Sequence, residues 1–149
     1  MAKTYDQLKL DNQLCFRLYT ASRLITQAYE PYFKPLGITY TQYLVLLVLW
    51  EKDNQPINDI GKRLLLGINT TSPLIKRMEK LGLVARHEGE TDKRQQIVFL
   101  TEKGKARKKE AAKIPNCMIE KLGDCGIDIN HLTAMIPALD EMIEKMGSK

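Results

Sequence analysis

A cysteine stands near the front of the segment LDNQLCFRLY, residues 10–19, whose apolar spacing suits a helix. Thiols react with peroxides as thiolates and pass first to a sulfenic acid. In a helix, residues four apart share a face, so the Tyr19 phenol would lie beside Cys15. A helix N-terminus and hydroxyl donors both stabilise a sulfur anion. On spacing alone, Cys15 is either a peroxide-reactive thiol or a buried cysteine that packs as a small hydrophobe.

The remaining sulfur and imidazole groups do not suggest a metal site. Cys117 and Cys125 complete an odd set of three cysteines, which argues against a structural disulfide framework. His87 and His131 are the only histidines, and no Cys-x-x-Cys occurs. The ligand spacing of a zinc site is therefore missing, and we expect neither a metal nor another cofactor.

Positive charge is concentrated in the middle of the chain. The whole sequence has a net charge of +5, yet residues 62–113 alone hold 14 Lys and Arg against 6 Asp and Glu, and the remainder is acidic. A basic centre between acidic ends predicts a polyanion-binding module carried on a different kind of frame. For residues 103–113 taken alone, a solvated lysine-rich helix is the simpler interpretation.

The elements that must position these groups begin with two helices. Apolar residues at helical spacing from Leu10 to Ile25 predict a first helix over about residues 7–30, which Pro31 and Pro35 would end. Thr39 is suited to cap a second helix, YTQYLVLLVLWEK. That helix is apolar almost all round, so we expect it to be the central buried one.

Two short apolar stripes, at residues 57–65 and 74–83, predict a pair of helices that meet near Gly67. Asn69 or Thr70 could cap the second helix, Pro73 would fit its first turn, and Gly82 suits the position just past its end. Basic side chains on the second helix make the pair a candidate helix-turn-helix.

A predicted β-hairpin follows, because LVARHEG and QQIVFLT flank the polar tip ETDKR. Thr101 then caps one long helix, EKGKARKKEAAKIPNCMIEKLG, and a last helix covers roughly residues 128–146. The first and last helices have wide apolar faces. We expect these faces to form a dimer interface, with ordinary packing inside one chain as the alternative.

The segments TSPLIKRMEKLGLVAR and TDKRQQIVFLTEKG resemble the MarR family of winged helix-turn-helix repressors. Asp92, Arg94, Leu100, Thr101 and Gly104 occupy the fixed positions of its wing motif. The resemblance implies a mainly α fold with a small β wing, in a single domain over residues 1–149. Residues 1–35 and 113–149 would supply the dimerisation helices, and residues 38–112 the DNA-binding lobe.

The opening segment, together with ITYTQYLVLLVLWE, resembles the organic hydroperoxide resistance (OhrR) branch of that family. This resemblance implies a homodimeric repressor, not an enzyme, that releases double-stranded operator DNA when an organic hydroperoxide oxidises Cys15. Tyr29 and Tyr40 would be the sulfur's hydrogen-bond partners, with Tyr19 near by. Cys117, Cys125 or a small cellular thiol could each resolve the oxidised sulfur, and these alternatives stay open.

The resemblance also assigns DNA contacts. Arg94, oriented by Asp92, would enter the minor groove from the wing tip. Apart from the resemblance, we expect Arg86 and Lys93 to contact phosphates. For the recognition helix we expect contacts from Thr70, Thr71, Ser72, Lys76 and Arg77. The chain has LGINTTSP where the branch usually has LDSGTLTP, which leaves the operator sequence open but not DNA binding.

Three other functions compete with this interpretation. A MarR-type repressor released by a small aromatic or anionic ligand would leave Cys15 structural. A thiol peroxidase would leave the basic winged region unexplained, and a zinc regulator lacks its ligands. The start of the chain has no secretory signal, and its longest apolar run, YLVLLVLW, is too short to cross a bilayer. We therefore expect a cytoplasmic protein with no membrane partner.

Overall fold

The computed structural model describes residues 2–147, which form two compact units divided after Tyr40. The first unit opens with two 3-10 turns, Asp6–Leu8 and Leu10–Asn12. Helix α1 follows over Leu14–Ala28, then the short helix α2 over Glu30–Phe33 and a 3-10 turn over Lys34–Leu36.

The predicted start of the first helix near residue 7 is wrong, because α1 begins at Leu14. Side chains before it bond to backbone carbonyls and so compete with helical pairing. The Asn12 amide donates to the Asp6 carbonyl (2.7 Å), and the Gln13 amide donates to the carbonyls of Gln7 (2.7 Å) and Lys9 (3.0 Å). Cys15 is consequently the second residue of α1, close to its N-terminus.

The second unit contains the remaining helices and the sheet. Helix α3 starts at Tyr40, directly after Thr39, and ends at Glu51. Strand β1 is Gln55–Pro56, followed by α4 (Ile57–Leu64) and α5 (Ile68–Lys80). Strands β2 (Val84–Glu88) and β3 (Gln96–Leu100) come next. The chain closes with α6 (Glu102–Ala111), α7 (Ile114–Asp124), α8 (Ile129–Thr133) and α9 (Ile136–Gly147).

The core of the second unit is built from α3, α4, α5 and the sheet. Its side chains with almost no exposed surface come from each of these elements: Val45, Leu46, Leu49, Ile60, Leu74, Ile75, Met78, Leu83, Val84 and Val98. The prediction that α3 is largely buried is confirmed, since six of its residues are buried. Burying a Leu or Ile side chain contributes about 1.5–3 kcal/mol each.

The predicted hairpin is confirmed as an antiparallel pair, with Val84 opposite Leu100 and Glu88 opposite Gln96. The sequence did not indicate β1, which pairs antiparallel with β3 and gives the strand order β1-β3-β2. Pro56 is tolerated there because β1 is an edge strand. The Asp53 carboxylate ties the preceding loop to β3 by accepting the Leu100 N–H at 2.9 Å.

Two predicted C-terminal helices are each divided in two. The helix after Thr101 ends at Ala111, and α7 starts again at Ile114 with Pro115 in its first turn. Proline lacks an N–H and disfavours helical backbone in the residue before it, so Pro115 interrupts the run. The last predicted helix is likewise split into α8 and α9, and Pro137 is the second residue of α9.

Helices α1, α8 and α9 have no buried residue in the single chain. Large apolar side chains are exposed along α1 and along α9: Leu14, Phe16, Tyr19, Leu24, Ile25, Ile136, Met142, Ile143 and Met146. No helix within residues 2–147 has both the length and the apolar composition needed to cross a bilayer.

Candidate nucleic-acid interface and thiol site

The helix-turn-helix is formed by α4 and α5, joined through Leu65, Leu66 and Gly67. Leu65 takes the left-handed conformation (φ +56°), and the Leu66 N–H donates to the Gly61 carbonyl at 2.8 Å. The turn is tight because Gly61 has no side chain. A Cβ there would lie 2.9 Å from the Leu66 carbonyl oxygen and 3.0 Å from the Thr71 hydroxyl.

The predicted cap of the recognition helix, Asn69 or Thr70, is wrong. Helix α5 begins at Ile68 with Gly67 as its N-cap, so Asn69 and Thr70 lie inside the first turn. Gly67 accepts the Thr70 and Thr71 N–H groups through its carbonyl, at 3.0 and 2.9 Å. These are the first hydrogen bonds of the helix itself, and Gly67 has no side chain with which to cap it.

Thr71, predicted to contact DNA, is fully buried. Its hydroxyl donates to the Gly67 carbonyl at 2.9 Å and packs against Gly61. The side chain therefore holds the two helices of the motif together, and we withdraw it from the DNA-facing set. Its polarity misled the sequence interpretation, because nothing local indicates that a threonine here bonds back into its own helix.

Pro73 lies in the interior of α5, not in its first turn as predicted. It has no N–H, so the carbonyl of Asn69 lacks its usual helical donor. Both residues are exposed. Gly82 follows the end of the helix with φ +74°, as predicted.

The other predicted residues of α5 are at the surface. Thr70, Lys76 and Arg77 are exposed, and Ser72 is half-buried. Ser72 lines an open cleft of about 610 Å³ between α4, α5 and the wing. The same cleft is lined by Ile68, Lys62, Arg86 and Arg94. The structure thus brings Ile68 and Ser72 of α5 and the wing arginine to one cleft.

The wing tip has the predicted Asp92–Arg94 contact. One Asp92 carboxylate oxygen accepts the Arg94 backbone N–H at 3.0 Å and its Nε–H at 3.3 Å. The Arg94 side chain is 92% exposed, so the carboxylate orients the guanidinium without covering it. Lys93 beside it is also exposed.

Arg86, expected to contact phosphate, is engaged elsewhere. Its Nε lies 2.8 Å from a carboxylate oxygen of Glu79 on α5, and about a quarter of its side chain is exposed. The pair joins β2 to the recognition helix, so Arg86 positions that helix more than it offers a free cation.

The end of α5 is joined to the start of α6 by groups that the sequence interpretation only partly recognised. Thr101 caps α6 as predicted, accepting the Gly104 N–H at 3.1 Å, and its own hydroxyl donates to the Gly82 carbonyl. Lys103, which we did not single out, donates from Nζ to the Leu81 carbonyl at 2.7 Å. Basic groups favour helix C-termini, so Lys103 also stabilises the end of α5.

Cys15 is exposed, and within residues 2–147 its sulfur has no hydrogen-bond partner. Tyr19 lies one turn further along α1 and is 69% exposed. The Tyr29 and Tyr40 rings lie 5.2 Å apart at the far end of α1, and Phe33 stacks on Tyr29 at 5.2 Å. A helix rises 1.5 Å per residue, so Tyr29 is about 21 Å along the axis from Cys15. The predicted sulfur–phenol contacts therefore cannot form with Tyr29 within one chain.

Burial raises the pKa of Tyr40 above its usual value of 10.0, because desolvation disfavours the phenolate. The phenol therefore stays neutral, and able to donate a hydrogen bond, throughout the physiological range.

Above pH 10 the Tyr40 phenol of the unfolded chain ionises while that of the folded chain does not, so we expect the free energy of unfolding to fall as the pH rises further. The tyrosinate absorbance of wild type minus Tyr40→Phe checks this. The same absorbance difference for Tyr19→Phe, at an exposed site, gives the reference titration. A titration midpoint for Tyr40 at or below pH 10 would contradict the raised pKa.

The two other cysteines lie in the C-terminal half of the second unit. Cys117 is half-buried within α7, and Cys125 is exposed at the end of that helix. Among the described residues no group of three His, Cys, Asp or Glu side chains could hold a metal ion.

The sequence and the fold are similar to those of known transcriptional regulators. Residues 27–111 match the family model for the transcriptional regulator SarA/Rot. The chain is 39% identical to the organic hydroperoxide resistance transcriptional regulator of Bacillus subtilis (strain 168), over 97% of this chain and 99% of that protein.

Solved structures agree with the sequence relatives. Reduced AbfR of Staphylococcus epidermidis bound to DNA has a TM-score of 0.79 at 38% identity, over 95% of this chain and 96% of that one. Disulfide-formed AbfR has a TM-score of 0.61 at 43% identity, over 86% and 95% of the two chains. The relatives are transcriptional regulators and not enzymes. With its three-stranded wing beside α4 and α5, the chain belongs to the MarR/SarA family of winged helix-turn-helix DNA-binding regulators.

Proposed function

We propose that this regulator is a homodimeric repressor that senses organic hydroperoxides by oxidation of Cys15 and then releases its operator DNA. The observation that carries the proposal is the placement of an exposed thiol at the N-terminus of α1 and a tyrosine pair at its other end. The name of the Bacillus subtilis relative and the reduced, DNA-bound and disulfide-formed states of AbfR support the same chemistry.

The length of α1 determines how the sensor is completed. Cys15 is about 21 Å from Tyr29 of its own chain, but an antiparallel second copy of α1 would bring the two ends together. Tyr29 and Tyr40 of each protomer would then donate hydrogen bonds to the Cys15 sulfur of its partner. The exposed apolar side chains of α1 and α9 supply the kind of surface that an obligate dimer buries.

The chemistry has two steps. The Cys15 thiolate attacks the peroxide, taking one oxygen to become a sulfenate while the peroxide leaves as an alcohol. A second thiol then attacks the protonated sulfenic acid, forming a disulfide and releasing water. Cys117, Cys125 or a small cellular thiol can be that second group. Either product removes the thiolate as an acceptor, and the bonds between protomers are lost.

Loss of those hydrogen bonds would weaken DNA binding by changing the relative position of the two DNA-binding lobes. Winged helix-turn-helix dimers place their recognition helices in half-sites about one helical turn apart. A small rotation of one protomer against the other would misplace both α5 helices together, so repression would end. The DNA-facing residues in this proposal are Thr70, Ser72, Lys76, Arg77, Lys93 and Arg94.

The test is a DNA-binding titration on the protein's own upstream region, with and without a slight excess of cumene hydroperoxide. We expect oxidised wild type to bind at least about 10-fold more weakly, a coupling of about 1.4 kcal/mol. Cys15→Ser should bind equally well under both conditions, whereas Cys117→Ser and Cys125→Ser identify the resolving thiol. Release of Cys15→Ser by the peroxide would overturn the sensor.

A second candidate is release by a small aromatic anion, because residues 26–40 line a cleft of about 450 Å³. Its apolar wall includes Phe33, Ile38 and Tyr40, and Lys34 supplies a cation. Benzoate or salicylate releasing both wild type and Cys15→Ser, with no response to peroxide, would favour this candidate.

A further inference from the structure

We infer that Ile68 and Asn69, in the first turn of α5, set the base preference of the operator. Asn69 reads an adenine, and Ile68 contacts the methyl group of a neighbouring thymine in the major groove. The inference rests on DNA binding by the winged helix-turn-helix and names the residues that discriminate between sequences.

The first argument is the position and freedom of Asn69. It is the second residue of α5, and the N-terminal residues of a recognition helix are those that contact base edges. Asn69 lies inside the helix and not at its N-cap, so the Asn69 amide does not cap α5. Within residues 2–147 that amide has no hydrogen-bond partner. Asparagine presents a donor and an acceptor together, which matches N6 and N7 of adenine.

The second argument is the exposure of Ile68. Its side chain is 50% exposed and lines the cleft that also contains Ser72 and Arg94. An isoleucine that faces a cleft lined mostly by polar and charged side chains gains nothing from solvent, whereas apolar contact with a thymine methyl is one of the standard ways of reading a base. Ile68 and Asn69 are the first two residues of α5, so both lie at the end of the helix that would enter the major groove.

The third argument is elimination of the remaining polar residues in the turn. The Thr71 hydroxyl is buried and bonded to the Gly67 carbonyl. Ser72 is half-buried, and Lys76 and Arg77 begin one turn further along the helix. Thr70 is exposed but offers a single hydroxyl, which pairs with several bases.

The experiment uses reduced full-length protein and a library of duplexes with a randomised centre, sequenced after selection for binding. The preferred duplex and its single-base variants are then titrated. For wild type we expect about 5- to 150-fold discrimination at the adenine. Asn69→Ala should reduce that discrimination to less than about 2-fold at this position alone, with the salt dependence unchanged. Ile68→Ala should do the same at the adjacent thymine.

Lys76→Ala is the matched control on the same helix, since loss of a phosphate contact weakens all duplexes alike and lowers the salt dependence. Asn69→Ser provides a second variant whose side chain is too short for a two-point pair with adenine. Unchanged base preferences in both Asn69 variants would overturn the inference while leaving DNA binding intact. A wild type with no base preference at all would overturn the inference together with the repressor function.

Discussion

Replacement of Gly104 by alanine is expected to lower the free energy of unfolding by about 3 kcal/mol or more, at the upper end of overpacking effects. A Cβ at this position would lie well within the van der Waals contact distance of the Leu83 carbonyl oxygen, which is a backbone atom and cannot swing away. Alanine's higher helix propensity offsets only about 1 kcal/mol of this. Urea denaturation followed by circular dichroism measures the change.

Gly123→Ala is the matched control for Gly104→Ala. Gly123 also lies in a helix, α7, and a Cβ there has no neighbour within 4 Å. We expect this variant to be more stable than wild type by about 0.4–1 kcal/mol. Both variants should be compared at one protein concentration, because the stability of the proposed dimer would depend on it. Equal effects of the two substitutions would contradict the close approach of α6 to the Leu83 backbone, just before β2.

Replacement of Arg94 by alanine is expected to weaken DNA binding by about 10- to 100-fold, as for other well-placed arginines. The Asp92 carboxylate holds the guanidinium in a fixed direction at the wing tip, so little freedom is lost when DNA arrives. A narrow minor groove concentrates negative potential, and we therefore expect the loss to be greatest on A·T-rich flanks. Titrations on duplexes that differ only in those flanks measure it.

Lys93→Ala and Arg94→Lys separate the roles of charge and geometry at the wing tip. Lys93 is exposed and adjacent to Arg94. Its loss should reduce the salt dependence of DNA binding by about one phosphate contact and weaken binding equally on all flanks. Arg94→Lys keeps the charge but loses the planar donor set. If Arg94→Ala were no worse than Lys93→Ala on any flank, the wing would act through charge alone.

Local sequence signals were sufficient where neighbouring residues decide the structure. The apolar run of α3, the Thr101 cap and the β-branched strand β3 all form as predicted. The signal for the division of the C-terminal helices was also present, in Pro115 and Pro137, but the helical periodicity on either side outweighed it. The start of α1 was misplaced because the Asn12 and Gln13 amides bond to carbonyls several residues back.

Other features depend on contacts that the sequence does not announce. Strand β1 has two residues, and its pairing with β3 joins positions more than 40 apart in the chain. Thr71 has the kind of polar side chain that contacts DNA, and only its position against Gly61 shows that it is buried. Arg86 similarly resembles a phosphate ligand until Glu79 is placed beside it. In the proposed function a second protomer would complete the thiol site, and local sequence patterns carry no signal for contacts between protomers.

A tryptophan at the contact between α3 and α6 can serve as an intrinsic fluorescence probe. Trp50 is the only tryptophan in the sequence, and its indole Nε1 donates to the Gly104 carbonyl at 3.1 Å. Lys108 in turn donates to the Trp50 carbonyl at 3.4 Å. Indole emission shifts with hydrogen bonding and hydration, so its wavelength reports whether α6 stays seated on α3. Steady-state fluorescence can therefore follow the DNA-binding lobe through peroxide addition and DNA release without an introduced label.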